Sequence, residues 1–221
     1  MMRRALLLCV ACALSAGAAQ AEIALYPTGP SEDSAFLRFV NATPDALQLV
    51  AAGSSASLEL KTPGAVSDYL PVPAGKPIKG TLKQPGGGTP LDLSVAPGEF
   101  ATVVAIDDAK GLRQVVVREQ PDDFNGLKAS LAFVSVDPAC RGASLRPAGR
   151  TADLFKDAPE GQVQRRSINP VKLSVQLVCA NANVGAPVDL GELQAGERYS
   201  VMVLPGADGP RLLATVDKLA H

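Results

Sequence analysis

Apolar and polar side chains alternate along several short stretches of the chain. In the clearest stretch, 171–179, apolar groups occupy every second position: Val171, Leu173, Val175 and Leu177. A period of two is that of a β-strand with one buried face, so we expect these four side chains in a hydrophobic core. Shorter stretches with the same period predict further strands: 36–40, 57–60 and 78–83.

Glycine and proline clusters separate the predicted strands: 73–75, 85–88, 96–98 and 206–209. Glycine permits positive φ and proline fixes φ at a turn value, so each cluster predicts a turn. With 20 glycines and 18 prolines in 221 residues, little of the chain can form long helices. Only 151–156 has a weak local helical pattern. We therefore predict an all-β fold.

One segment of the chain is repeated. Residues 98–113, shifted by 98 positions, coincide with 196–211 without a gap, and six of the sixteen pairs are identical: Gly98/Gly196, Glu99/Glu197, Val103/Val201, Ala109/Ala207, Gly111/Gly209 and Arg113/Arg211. Upstream, Phe39-Val40 recurs as Phe133-Val134. Several short strands must bury one face against a second sheet. The sequence therefore predicts two tandem β-sandwich domains from an internal duplication.

The N-terminus has the pattern of a signal peptide. Arg3 and Arg4 precede an apolar run at 5–14, and the small residues Ala19 and Ala21 suit a signal-peptidase site. Ten apolar residues are too few to cross the roughly 30 Å of bilayer hydrocarbon. We expect cleavage near Ala21 and export, with no stable membrane insertion afterwards.

The domain boundaries follow from the repeat and from a polar segment that contains proline and glycine. We predict four parts: a signal peptide (1–21), an N-terminal β-sandwich (22–120), a short linker (121–127) and a C-terminal β-sandwich (128–221). The short linker limits the relative movement of the domains without locking them. Each sandwich is expected to fold independently.

Two cysteines remain after the signal peptide, Cys140 and Cys179. In an oxidising compartment two cysteines most simply form one disulfide, which we predict here; two buried free thiols are the alternative. A bridge closing a loop of about 38 residues stabilises by roughly 4 kcal/mol in the chain-entropy treatment.

Catalytic chemistry is poorly represented. The only histidine is the last residue, His221, and a chain end rarely holds a side chain in place. Serine triads, Cys-His pairs and histidine metal sites need an imidazole held by the fold. We therefore predict no catalytic residue, no cofactor, no metal site and no enzyme activity. Covalent catalysis would need a nucleophile such as Ser167 with a base that the sequence does not reveal.

Aromatic side chains are few. The chain has no tryptophan and three tyrosines. Tyr199 alternates with Val201 and Val203 and is expected in a core. Tyr26 lies close to the mature N-terminus and is expected to be exposed. A platform for stacking sugar rings is not predicted.

Basic residues are concentrated in 141–172, within a chain of formal charge −1. Seven basic residues oppose three acidic ones there: Arg141, Arg146, Arg150, Lys156, Arg165, Arg166 and Lys172 against Asp153, Asp157 and Glu160. One interpretation is a scattered, solvated surface, with Arg165 and Arg166 exposed. The other is a patch for an anionic partner or polysaccharide, because guanidinium groups pair carboxylates bidentately.

Three stretches resemble the family of the alginate O-acetylation protein AlgF. They are Ala-Leu-Tyr-Pro at 24–27 with the strand 34–42, the Ile-Asn-Pro-Val-Lys strand within 167–177, and Leu-Gln-Ala-Gly-Glu at 193–197. The cysteine pair and the Pro-Gly-Gly-Gly loop at 85–88 depart from the family pattern. The resemblance implies a periplasmic, non-catalytic protein required for O-acetylation of a secreted polysaccharide, in a system whose chemistry belongs to membrane and periplasmic transferases.

The pattern and the resemblance together predict a periplasmic adaptor that links acetyltransferase components acting on an alginate-like polysaccharide. Its hypothesised partner contacts are Arg165, Arg166, Asn169, Lys172 and Tyr26. Membrane and periplasmic acetyltransferase proteins are the expected partners; anionic polysaccharide is a further candidate, and nucleic acid is not expected. The alternative is a polysaccharide-binding β-sandwich module of a generic exported surface protein.

Overall fold

The computed structural model describes residues 34–120 and 125–220, which form sixteen β-strands and no helix. The first half contains β1 (Ser34–Asn41), β2 (Leu47–Ala51), β3 (Ser57–Leu60), β4 (Leu70–Pro73), β5 (Ile78–Gln84), β6 (Gly87–Leu93), β7 (Phe100–Asp108) and β8 (Gly111–Glu119). The second half contains β9 (Ala129–Ser135), β10 (Ala143–Pro147), β11 (Phe155–Ala158), β12 (Gln164–Ile168), β13 (Lys172–Cys179), β14 (Ala182–Glu192), β15 (Arg198–Leu204) and β16 (Arg211–Val216).

The predicted all-β fold is confirmed, and the four predicted strands correspond to β1, β3, β5 and β13. The helical turn suggested by the weak pattern at 151–156 is wrong, because Phe155 begins strand β11, which pairs with β10. Within the described ranges, no helix is long and apolar enough to span a membrane.

Each half forms two four-stranded sheets, and the two halves share one topology. The inner sheets have the orders β4-β1-β7-β8 and β12-β9-β15-β16; the outer sheets have the orders β3-β2-β5-β6 and β11-β10-β13-β14. In each inner sheet the central pair is parallel, β1 with β7 and β9 with β15. Matching strands therefore occupy matching places, which confirms the two tandem β-sandwiches and the duplication.

A turn conformation shared by the two copies explains one of the identical pairs of the repeat. Gly98 and Gly196 stand just before β7 and β15, with φ of +70° and +83°. Side chains with a Cβ rarely adopt this left-handed conformation, whereas glycine does so at little cost. The same residue type therefore suits both copies of this turn.

Each sandwich encloses its own core. Phe39, Leu37 and Leu82 lie in the first core. Phe133 and Phe155 stack in the second, with ring centroids 5.7 Å apart. The predicted core residues of β13 are confirmed, as is Tyr199: Leu173, Val175 and Leu177 are buried.

The prediction for Val171 is wrong, because this side chain is 45 % exposed. Strand β13 begins one residue later, at Lys172. Val171 precedes the strand, so the alternation of buried and exposed faces does not extend to it.

A third apolar cluster joins the two sandwiches. The outward faces of the inner sheets pack against each other. The buried members of the cluster are Val40, Val104, Ile106 and Val117 from the first half, and Val134, Val136, Met202 and Leu204 from the second. Backbone contacts continue the junction, because Tyr69 N–H donates to Lys218 O at 2.8 Å and Ala220 N–H donates to Tyr69 O at 2.9 Å. The domain limits and the independent folding of each sandwich stay predictions.

The predicted disulfide is confirmed. Cys140, in the loop after β9, is bonded to Cys179 at the end of β13, with a Cα–Cα distance of 4.9 Å. Both cysteines belong to the core of the C-terminal sandwich. The bridge therefore connects an inner-sheet loop to the outer sheet.

Candidate functional site

A buried ion pair lies where the two sandwiches meet. Arg38 on β1 donates from Nη1 to Asp217 Oδ1 at 2.6 Å, and the two side chains are 5 % and 4 % exposed. Arg38 also donates from Nη2 to Ser200 Oγ at 3.0 Å and from Nε to Thr102 Oγ1 at 2.9 Å. All three guanidinium nitrogens have an acceptor, so the charge is paired and hydrogen-bonded as burial requires.

Arg165 belongs to the same cluster. Its guanidinium donates to both carboxylate oxygens of Glu119, at 2.9 Å for Nη2–Oε2, and to Asp217 Oδ2 at 3.4 Å. Burial alone would lower the pKa of Arg165, but the hydrogen bonds and negative charges of Glu119 and Asp217 raise it on balance. The expectation that Arg165 is exposed is wrong, because its side chain is 12 % exposed and is held between the sandwiches.

Tyr69 completes the cluster beside Arg38. The Arg38 Cζ atom lies 4.4 Å from the centre of the Tyr69 ring, and the phenol oxygen is 3.3 Å from Thr102 Oγ1. Such a cation over an aromatic face is attracted by the ring quadrupole. Tyr69 therefore contributes both packing and electrostatics to the junction.

The Tyr69 phenol is expected to titrate late. Burial raises the pKa of Tyr69 above its ordinary value of 10.0, although the positive charge of Arg38 opposes the shift. The folded protein favours the neutral phenol over the phenolate. The contribution of Tyr69 to folding stability is therefore fully present below pH 10.0 and is lost as the pH rises through the raised pKa. An ultraviolet titration should show a late phenolate step that is absent from Tyr69→Phe. A single step near the ordinary value, with the fold retained, would contradict this.

Arg166 follows Arg165 in the chain but lies on the opposite face of β12. The strand register pairs Arg165 with Ala132 and Arg166 with Leu131, so the two side chains point to opposite sides of the sheet. Arg166 is exposed, and its Nη1 donates to Leu154 O at 2.6 Å. The two arginines therefore do not form one patch.

Asn169 and Lys172 lie at one end of the C-terminal sandwich, and both are exposed. Two large apolar side chains are exposed at the same end, Leu127 at 83 % and Val171 at 45 %. Leu193 N–H donates to Val171 O and Gly196 N–H donates to Lys128 O, both at 3.0 Å. The segments that contain Val171 and Lys128 therefore both contact the loop 193–196 between β14 and β15. We call Leu127, Asn169, Val171 and Lys172 the end surface.

Sequence reasoning placed Asn169 and Lys172 correctly at the surface but missed their apolar neighbours. Leu127 was available as a signal, because it is a large apolar residue within a polar linker. Val171 was assigned to the core from the alternation. Tyr26 lies outside the described residues.

Serine chemistry was the remaining enzymatic possibility. Ser167 is exposed on β12, and within residues 34–120 and 125–220 its hydroxyl makes no hydrogen bond to a basic side chain. Ser200 does meet a carboxylate, since its Oγ is 3.0 Å from Asp217 Oδ2, but Ser200 is only 3 % exposed. In the same part of the chain, no group of three or more His, Cys, Asp or Glu side chains could bind a metal ion.

Comparison with solved structures finds β-rich proteins at low identity. Two are candidate cell adhesion proteins. The one from Bacteroides ovatus ATCC 8483 is 9 % identical, with 85 % of this chain and 98 % of that chain covered and a TM-score of 0.29. The one from Bacteroides uniformis ATCC 8492 is 9 % identical, with 88 % of this chain and 100 % of that chain covered and a TM-score of 0.31. A third is the CBM26 module of Eubacterium rectale Amy13K in complex with maltoheptaose, which is 12 % identical, with 85 % of this chain and 98 % of that chain covered and a TM-score of 0.25.

A search among curated proteins finds no match. A family model gives the decisive result. The model described as alginate O-acetyl transferase AlgF matches residues 5–200. This match covers most of the sequence and confirms the resemblance seen in its strands: the chain belongs to the AlgF family.

Proposed function

We propose that the protein is a periplasmic, non-catalytic adaptor in the O-acetylation of a secreted, alginate-like polysaccharide. Membership of the AlgF family implies a role in alginate O-acetylation. In the proposal, the end surface binds one of the acetyltransferase proteins, membrane-bound or periplasmic, that carry out the chemistry. The predicted signal peptide at 1–21 supports the periplasmic location.

The observation that carries the proposal is the composition of the end surface. Leu127 and Val171 expose large apolar side chains at the same end of the sandwich as the polar Asn169 and the cationic Lys172. Apolar side chains rimmed by polar ones are typical of protein–protein interfaces. Covering these side chains with a partner would be favourable, because it would remove their apolar surface from water.

The buried cluster supports an adaptor over an enzyme. The hydroxyl of Ser200 is shared with Arg38 and Asp217, and those groups are occupied in joining the sandwiches. A nucleophile needs access to its substrate, and Ser200 is 3 % exposed. The arrangement therefore favours a structural role for this cluster.

The test is a double variant, Val171→Asp with Lys172→Glu. We expect at least about a tenfold loss of affinity for the acetyltransferase partner, because central interface residues contribute about 1–2 kcal/mol each. The acetyl content of the polymer made by cells should fall accordingly. Lys110→Glu is the matched control, because Lys110 is an exposed lysine in the β7–β8 turn of the other sandwich.

Three outcomes would contradict the proposal. Full acetylation in cells that carry the folded double variant would remove the end surface from the mechanism. Binding of the wild-type protein to oligouronates, lost in the double variant, would indicate a polysaccharide-binding module. Acetyl turnover by the purified protein, abolished by Ser167→Ala, would indicate an enzyme.

A further inference from the structure

A cleft of about 420 Å³ lies between the two sandwiches, away from the end surface. Both halves line it: Pro44 and Pro63 come from the first, and Pro205, Ala207 and Arg211 come from the second. Asp107, at the end of β7, is also part of the wall. The lining is largely apolar, and its volume falls in the range of ligand-binding pockets.

Arg211 crosses the junction at this cleft. Its aliphatic part passes Gly206, where an added Cβ would be 3.1 Å from Arg211 Cδ. Its guanidinium reaches the first sandwich, because Nη1 lies 3.4 Å from the position that a Cβ would take at Gly64. Throughout the described part of the chain, no carboxylate forms an ion pair with Arg211.

The duplication shows what Arg211 lacks. Its counterpart in the first copy is Arg113, which pairs with Asp108 at 3.2 Å between Nε and Oδ2. The same shift of 98 positions places Gly206 where Asp108 stands. A Cβ at Gly206 would be 2.9 Å from the carbonyl oxygen of Gly209, so this turn excludes the larger residue. The second copy keeps the arginine and lacks the carboxylate.

We infer that this cleft binds an extended segment of a partner protein whose carboxylate pairs with Arg211. Guanidinium and carboxylate form bidentate, charge-assisted hydrogen bonds, so an acidic side chain supplies the group that Asp108 supplies to Arg113. Aliphatic or proline residues beside the acid would cover the proline lining. The inference goes beyond the proposed function, because it adds a second contact surface that does not depend on the end surface.

A peptide suits the cleft better than a polyuronate. A polyuronate carries a carboxylate on every ring. Among the described residues that line the cleft, Arg211 is the one cation, and Asp107 would repel further negative charge. Proline and alanine side chains match aliphatic groups. Because both sandwiches form the walls, the cleft exists only while the junction is closed, and binding there is expected to favour the closed junction.

The test uses the full-length mature protein, labelled with ¹⁵N, and two acetylated, amidated pentapeptides, PLEPV and PLQPV. We expect PLEPV to shift the amide signals of Gly64 and Gly206 saturably at millimolar concentrations. The glutamine peptide should bind at least about fivefold more weakly, since it loses the charge of the carboxylate. Arg211→Gln should cause the same loss, and the matched Arg113→Gln should cause none.

Ala207→Trp fills the cleft without touching the charge and should also abolish binding, which keeps the test decisive if Arg211→Gln affects folding. The inference is overturned if neither peptide shifts these amides up to about 10 mM, roughly ten times the millimolar range expected for PLEPV. It is also overturned if a uronate hexamer shifts the same amides at lower concentration than PLEPV. Neither result would bear on the end surface, which is tested by Val171→Asp and Lys172→Glu.

Discussion

Asp217→Ala is expected to lower the free energy of unfolding by about 3–5 kcal/mol, the usual cost of removing one partner of a buried ion pair. Asp217 accepts from Arg38 and from Arg165, and its side chain is 4 % exposed. The variant leaves two guanidinium groups between the sandwiches without their shared carboxylate. Urea unfolding followed by circular dichroism would measure the effect, with unchanged m-values indicating unchanged two-state behaviour.

Asp208→Ala is the matched control, because Asp208 is an exposed acid in the turn between β15 and β16. Its replacement is expected to change stability by no more than about 0.5 kcal/mol. A combined Arg38→Met and Asp217→Leu variant should recover part of the loss, because an apolar pair avoids the buried charge. A loss below about 1 kcal/mol for Asp217→Ala would mean that water reaches this cluster and screens it.

The second large effect concerns the disulfide. Cys140 and Cys179 are 39 positions apart. A crosslink over such a loop restricts the unfolded chain and contributes about 4 kcal/mol in the chain-entropy treatment. Replacing both cysteines by serine should lower stability by about this amount.

Thiol titration provides the companion measurement. The protein without residues 1–21, isolated from an oxidising compartment and denatured without reductant, should contain no free thiol, and reduction should release two. Two thiols before reduction would show that the bridge does not form in the cell. A double-serine variant with wild-type stability would show that the bridge forms but contributes little.

The strands and the duplication were predictable because they depend on local patterns. Strand β3 was located to the residue, and β13 to within one residue. The contact between the sandwiches was also partly predictable, because residues 101–106 of β7 are nearly all apolar and do not alternate with polar residues. In the structure all six are buried. A strand buried on both faces has this pattern, whereas the alternation rule finds strands with one exposed face.

The buried ion cluster was not predictable from local sequence. Arg165 finds Glu119 and Asp217 at separations of 46 and 52 residues, through contacts that only the folded junction creates. Charge counting along 141–172 therefore assigned Arg165 to the surface. The repeat aligns Asp108 with Gly206, so the sequence shows that the second copy has no carboxylate at this position. Only the structure shows that Asp108 pairs with Arg113, and therefore that the equivalent Arg211 lacks this partner.

The opposite orientation of Arg165 and Arg166 has an evolutionary consequence. A change at position 165 alters the charge balance inside the junction, so it must be accompanied by changes at 119 or 217. Position 166 faces solvent and can vary alone. Covariation across relatives is therefore expected to link 165 with 119 and 217 and to leave its immediate neighbour independent.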